Sequence, residues 1–189
     1  MKKYKINGFS MLEVLITLVI ILLGVLGMAG MQMLAINNTQ IARTHSLAAI
    51  MASSLTAQMQ ANESYWTDST ISTSVLGANK RGWESSILSN STLNGQSIDC
   101  TDEICTPVAM AGYDLKKWGA DLATLLPSGK ATVTCSGPTA TAPNVCTISV
   151  SWTEQNVALH NQNNASTTST ALTSGTVSTQ TYTTFSSIH

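Results

Sequence analysis

The chain has 189 residues, enough for one membrane helix and one modest domain. Only 10% of its residues are charged, against about 25% in an ordinary soluble domain. The net charge of −1 hides an asymmetry: Lys2, Lys3 and Lys5 precede Gly8, and beyond residue 8 six basic and ten acidic side chains leave −4, so no basic stripe suited to nucleic acid remains.

Residues 1–8 form a short basic leader. An ordinary secretory signal carries its small-residue cleavage site after the apolar region. Here Gly8 stands before that region, so a cut at Gly8 leaves the apolar segment on the chain. Residues 14–36 are uncharged and predict a helix of roughly 35 Å, long enough to span a hydrocarbon core. The leader lysines place the N-terminus in the cytoplasm and everything after Ile36 outside. Glu13 stands near the start of this span, and a charge within a membrane-helix core costs roughly 2.5–3.5 kcal/mol on insertion scales. Such a residue calls for a partner. Gly24, Gly27 and Gly30 recur every third residue. They read equally as ordinary membrane-helix glycines or as a groove for close packing and local unwinding.

The helical pattern runs on past Ile36. Ile41, Ala48 and Leu55 continue a seven-residue spacing from Leu34, and Leu47, Met51 and Met59 widen the stripe. Thr39, Gln40, Arg43, His45, Ser46, Ser53, Gln58 and Gln60 fill the other side, which predicts an amphipathic extension over residues 37–61. Residues 62–94 are rich in Ser and Thr and read as loops, with a short helix over 82–88 and Trp66 and Trp83 as anchors. Leu115, Trp118, Leu122 and Leu125 mark a second helix over 113–129, ended by Pro127. Residues 130–136 and 145–154 alternate and are β-branched, and "GPTATAPN" between them supplies the turn of an antiparallel hairpin. Residues 160–175 read as a flexible polar loop, and 176–188 as a last strand returning beside 147–154. The fold class is α+β: a long N-terminal helix, half membrane and half amphipathic, on a small antiparallel sheet. The organisation is a leader over 1–8, a membrane half over 9–36, an amphipathic half over 37–61 and a head over 62–189.

Four cysteines, Cys100, Cys105, Cys135 and Cys146, all lie in the outer part, an even count that suits disulfides in an oxidising compartment. Of three possible connectivities, the local pairs Cys100–Cys105 and Cys135–Cys146 are favoured because each brackets a short polar loop. Their spacings do not match the close ligand pairs of a zinc site, and no histidine lies near them. Asp99, Asp102 and Glu103 lack the spacing of a calcium loop and read as a solvated disulfide loop. No nucleophile-elbow, zinc-protease or phosphate-loop pattern occurs, and the histidines are only His45, His160 and His189. The expectation is a chain that is not an enzyme and needs no cofactor and no metal.

The basic leader, Gly8 and the run "FSMLEVLITLVIILLGVLG" together resemble the prepilin leader of type IV pilins and the related pseudopilins. That pattern asks for glycine before the cut, an apolar residue after it, a glutamate four residues later and then a membrane helix; Gly8, Phe9 and Glu13 fill these places. The resemblance implies cleavage between Gly8 and Phe9 by a membrane peptidase and methyltransferase, with N-methylation of Phe9. It also implies that the new amine of Phe9 pairs with Glu13, in the same chain or a neighbouring one, and so helps set register during assembly. "GVLGMAGMQ", "MQAN", "LPSGKATV" and "VSWTE" resemble the PilV-type minor pilins. Major pilins usually carry proline at the twenty-second mature residue, where Gly30 stands here. The expected role is a minor pilin of an initiating or tip complex, partnered by other minor and major pilins. It would be stored in the bacterial inner membrane with its head in the periplasm and then pass into the pilus fibre. A minor pseudopilin of type II secretion is the alternative.

Overall fold

The computed structural model describes residues 11–77, 85–156 and 176–188. The expected leader, the loop at 160–175, Trp83 and the first part of the helix expected at 82–88 lie outside the described residues. The chain divides into two compact units, Met1–Gln40 and Ile41–His189. Helix α1 (Met11–Ala61) contributes to both.

In the first unit α1 carries no buried side chain among its described residues. It is the one described helix long and apolar enough to cross a membrane. A methyl added at Gly24, Gly27 or Gly30 would meet nothing within 4 Å, so among the described residues no other element packs against these glycines.

The second unit is an α+β head. Five antiparallel strands lie in the order β2-β1-β3-β4-β5. They are β1 (Thr70–Leu76), β2 (Ile87–Leu88), β3 (Lys130–Ser136), β4 (Asn144–Asn156) and β5 (Thr176–Ile188). Short helices α2 (Glu63–Trp66) and α3 (Ser91–Asn94) join the longer α4 (Pro107–Leu125). The stripe expected on α1 is buried from Ala48 onward, while Ile41 is half-buried. Ala48, Met51, Leu55 and Met59 enter the core with Ala52, while Leu47 packs at its margin. They share one cluster with Leu115, Trp118 and Leu122 of α4 and with Val75, Val133, Ile148, Val150 and Trp152 of the sheet. The opposite face of the sheet is a lawn of hydroxyls. Ser74, Thr132, Ser149 and Thr183 follow one another across four strands, and Ser72, Thr134 and Thr147 form the next row.

Three local expectations are corrected. Residues 70–76 form strand β1, not loop, because Thr is β-branched and suits a pleated strand. Thr73 and Val75 are the residues this strand buries. Ile87–Leu88 is strand β2, paired with Val75 and Leu76, not the end of a helix. The short helix comes later, at Ser91–Asn94, where the Asn90 side chain caps it by accepting from Leu93 N at 3.2 Å. Helix α4 starts at Pro107 rather than 113. Thr106 caps it and Pro107 occupies its first turn, where a missing N–H costs nothing. It closes at Leu125, since Leu126 precedes Pro127 and is held extended.

Candidate processing and assembly site

Glu13 lies in the first turn of α1, where a carboxylate suits the positive end of the helix dipole. Its side chain is exposed, as are its apolar neighbours Leu12, Val14, Leu15 and Ile16. Among the described residues no basic side chain is placed against it. Gly8 and Phe9, the other two residues of the expected site, lie outside the described residues.

Residues 3–29 match the prokaryotic N-terminal methylation motif. This prepilin-like motif spans Gly8, Phe9 and Glu13 together. Comparison with curated proteins and with solved structures returned no match. The motif and the single apolar helix fit anchoring in an inner membrane.

In the head, the residues with the most specific polar contacts hold elements together. Glu154, near the end of β4, is 7% exposed. Its Oε1 accepts from Trp152 Nε1 at 2.7 Å and from the Thr44 hydroxyl of α1 at 2.7 Å. His45 Nε2 lies 3.6 Å from the same oxygen, and the His45 ring stands edge-on to Trp152 with centroids 5.0 Å apart. A buried carboxylate thus ties the start of the packed half of α1 to β4. Sequence reasoning placed His45 on the solvent side and gave Glu154 no role. The signal was available only as a lone acid in a strand, which is rarely buried without partners.

Two further nodes were equally hidden. Trp118 Nε1 donates to the Met51 carbonyl at 2.8 Å, joining α4 to α1 inside the core. Asn144 is fully buried and satisfied: Nδ2 donates to Trp66 O at 2.7 Å and Ser69 O at 2.8 Å, while Oδ1 accepts from Gly137 N at 2.9 Å. It stitches the end of α2 to the β3–β4 hairpin.

Disulfides join Cys100 to Cys105 and Cys135 to Cys146. The second is a cross-strand bridge, since Cys135 faces Cys146 in the β3–β4 register. The first closes the acidic loop. There Asp99 Oδ1 accepts from the Thr101 hydroxyl at 2.7 Å and from Thr101 N at 3.0 Å, which holds its carboxyl below the usual carboxylate range. Asp102 and Glu103 are exposed. Among the described residues no group of three or more His, Cys, Asp or Glu is placed to hold a metal ion. On α4, burial pushes the Asp114 carboxyl up to about 6, opposed by the nearby Lys117. These contacts in the head bind structural elements to one another.

Proposed function

We propose that this chain is a PilV-type minor pilin. It is made as a precursor, cut between Gly8 and Phe9 by a prepilin peptidase, N-methylated on Phe9 and built into an initiating or tip complex of a type IV pilus. The observation that carries the reading is the methylation motif over residues 3–29, overlapping a helix whose apolar half buries no side chain among the described residues. Such a surface is stable in lipid, and it is equally stable where helices of other pilins replace the lipid. Assembly can then exchange one apolar neighbour for another at little cost. Residues 37–61 and the head over 62–189 stand on the periplasmic side, where an oxidising compartment suits the two disulfides.

Gly8 is the residue on which processing depends, because a position without a side chain lets a peptidase approach the backbone closely. Gly8→Leu should leave the full-length precursor in the membrane, seen as a slower band than wild type and an intact leader by mass spectrometry. Mature-length protein from this variant would overturn the reading.

A further inference from the structure

The sequence holds two Asn-Gly pairs, Asn7–Gly8 and Asn94–Gly95. The second lies among the described residues, where α3 ends. Asparagine is one of the thermolabile side chains. A following glycine makes it more so. The glycine nitrogen can attack the amide carbon of the asparagine side chain, and no Cβ beside that nitrogen stands in the way.

The fold holds the two reacting groups apart. Asn94 is turned toward β2, where its Oδ1 accepts from Leu88 N at 2.9 Å. The Gly95 N–H donates to Ser91 O, also at 2.9 Å. Gly95 keeps a helical φ of −70° and ψ of −11°. Ring closure needs the Gly95 nitrogen to turn from Ser91 O toward Asn94 Cγ, and the Asn94 side chain to leave Leu88. Both residues are exposed, so water reaches them. Their restraints are also short: α3 has four residues and β2 two. A helix of one turn has no propagation to offset its nucleation, so it holds through its cap and its packing. The cap is Asn90, whose Oδ1 accepts from Leu93 N, and the packing is that of Leu93, which is wholly buried. Asn94 N donates to Asn90 O at 2.9 Å, so the cap residue and the reactive residue belong to one turn.

We infer that Asn94 is a gated deamidation site, shut while α3 is closed and reactive each time that turn frays. In the step the Gly95 nitrogen bonds to Asn94 Cγ, the Cγ–Nδ2 bond breaks, and ammonia leaves with the proton that Gly95 N carried. Water then opens the five-membered imide at either carbonyl, giving aspartate or isoaspartate. Nothing is oxidised or reduced, and either product adds one negative charge. Aspartate keeps an acceptor for Leu88 N. Isoaspartate carries the chain through the former side chain, one methylene longer, so the bonds to Ser91 O and from Leu88 N cannot both be remade. A passing opening between β2 and α3 is thereby made permanent. The converted fraction records how often the turn has been open.

The test incubates the full chain in detergent and mildly alkaline buffer, folded or in concentrated urea. Peptide mapping by tandem mass spectrometry with electron-transfer fragmentation separates the unreacted Asn94 from its aspartyl and isoaspartyl products. The expected result is conversion in urea, and conversion about tenfold or more slower in the folded chain, the factor being set by the share of time the turn is open. Asn90→Ala removes the cap and leaves the Asn-Gly pair untouched. It should speed conversion in the folded chain by about two- to thirtyfold, the range that loss of a cap corresponds to. The rate in urea should not change. Equal rates for the wild-type chain folded and in urea, no conversion in urea, or a folded Asn90→Ala chain that converts at the wild-type rate would each overturn the inference. Circular dichroism reports whether the variant is folded, and the wild-type comparison decides alone if it is not.

Discussion

Glu154 shows how one residue can hold two elements. Its carboxylate receives the indole N–H of Trp152 and the hydroxyl of Thr44, with His45 close by, in a place where water has almost no access. Removing it leaves two donors without an acceptor, and a buried group deprived of its partner costs about 1–3 kcal/mol, more when charge is involved. Glu154→Ala should therefore lower the stability of the chain by about 2–3 kcal/mol, measured by urea unfolding in detergent. Glu154→Gln keeps an acceptor in place and should cost less. Equal losses for the two variants would mean that shape rather than the acceptor matters. None of this was legible beforehand, because the partners Thr44 and Glu154 lie 110 residues apart and only the fold brings them together.

At the scale of elements, α4 and β1 approach through two glycines. A methyl added at Gly119 would stand 2.5 Å from Val75 Cγ1, and one at Gly77 would stand 1.6 Å from the Gly119 carbonyl oxygen. The second contact is with backbone, which has nowhere to turn. Gly77→Ala should therefore cost more than Gly119→Ala, whose clash is with the end of a side chain. Both should lie in the range of about 1–3 kcal/mol typical of overpacking, or above it for Gly77. Thermal unfolding of the two variants checks the order, and a more stable Gly77→Ala protein would contradict the packing. The elements themselves were unequally visible. The seven-residue spacing and the alternation in β3 and β4 are strong periodic signals, and the structure buries Ala48 and Leu55 of the first and the inward residues of the second. Strand β1 was missed because Ser and Thr fill its positions, and such residues look like loop until a neighbouring strand takes up their backbone. The cap at Thr106 and Pro107 was a readable helix start that the apolar spacing alone did not reveal.

At the scale of the whole molecule, the apolar half of α1 buries no side chain among the described residues, and Glu13 is exposed there. The proposed function supplies a partner for each: lipid and then neighbouring helices for the first, and the methylated amine of Phe9, in the same chain or a neighbouring one, for the second. Two opposite charges in apolar surroundings attract strongly, and an unpaired one is costly. Glu13→Ala should permit cleavage at Gly8 but reduce incorporation of the subunit into shed pili, read by immunoblot of the pilus fraction against the membrane fraction. Wild-type incorporation of the variant, as sole copy, would count against the pairing.

Sequence alone determined what is local or covalent. The order Gly8, Phe9, Glu13 followed by an apolar run is a one-dimensional signal that needs no fold, and the methylation motif matched over residues 3–29 spans it. Helix and hairpin periodicity is likewise written in nearest neighbours. Tertiary structure decided what depends on distant residues meeting. It set β1 between β2 and β3, it buried Glu154 and Asn144 among partners, and it placed β5 last in the order of the described strands. Strand order and the satisfaction of buried polar groups are properties of the folded whole, since pairing energy is gained only after the chain has closed the loops between the strands.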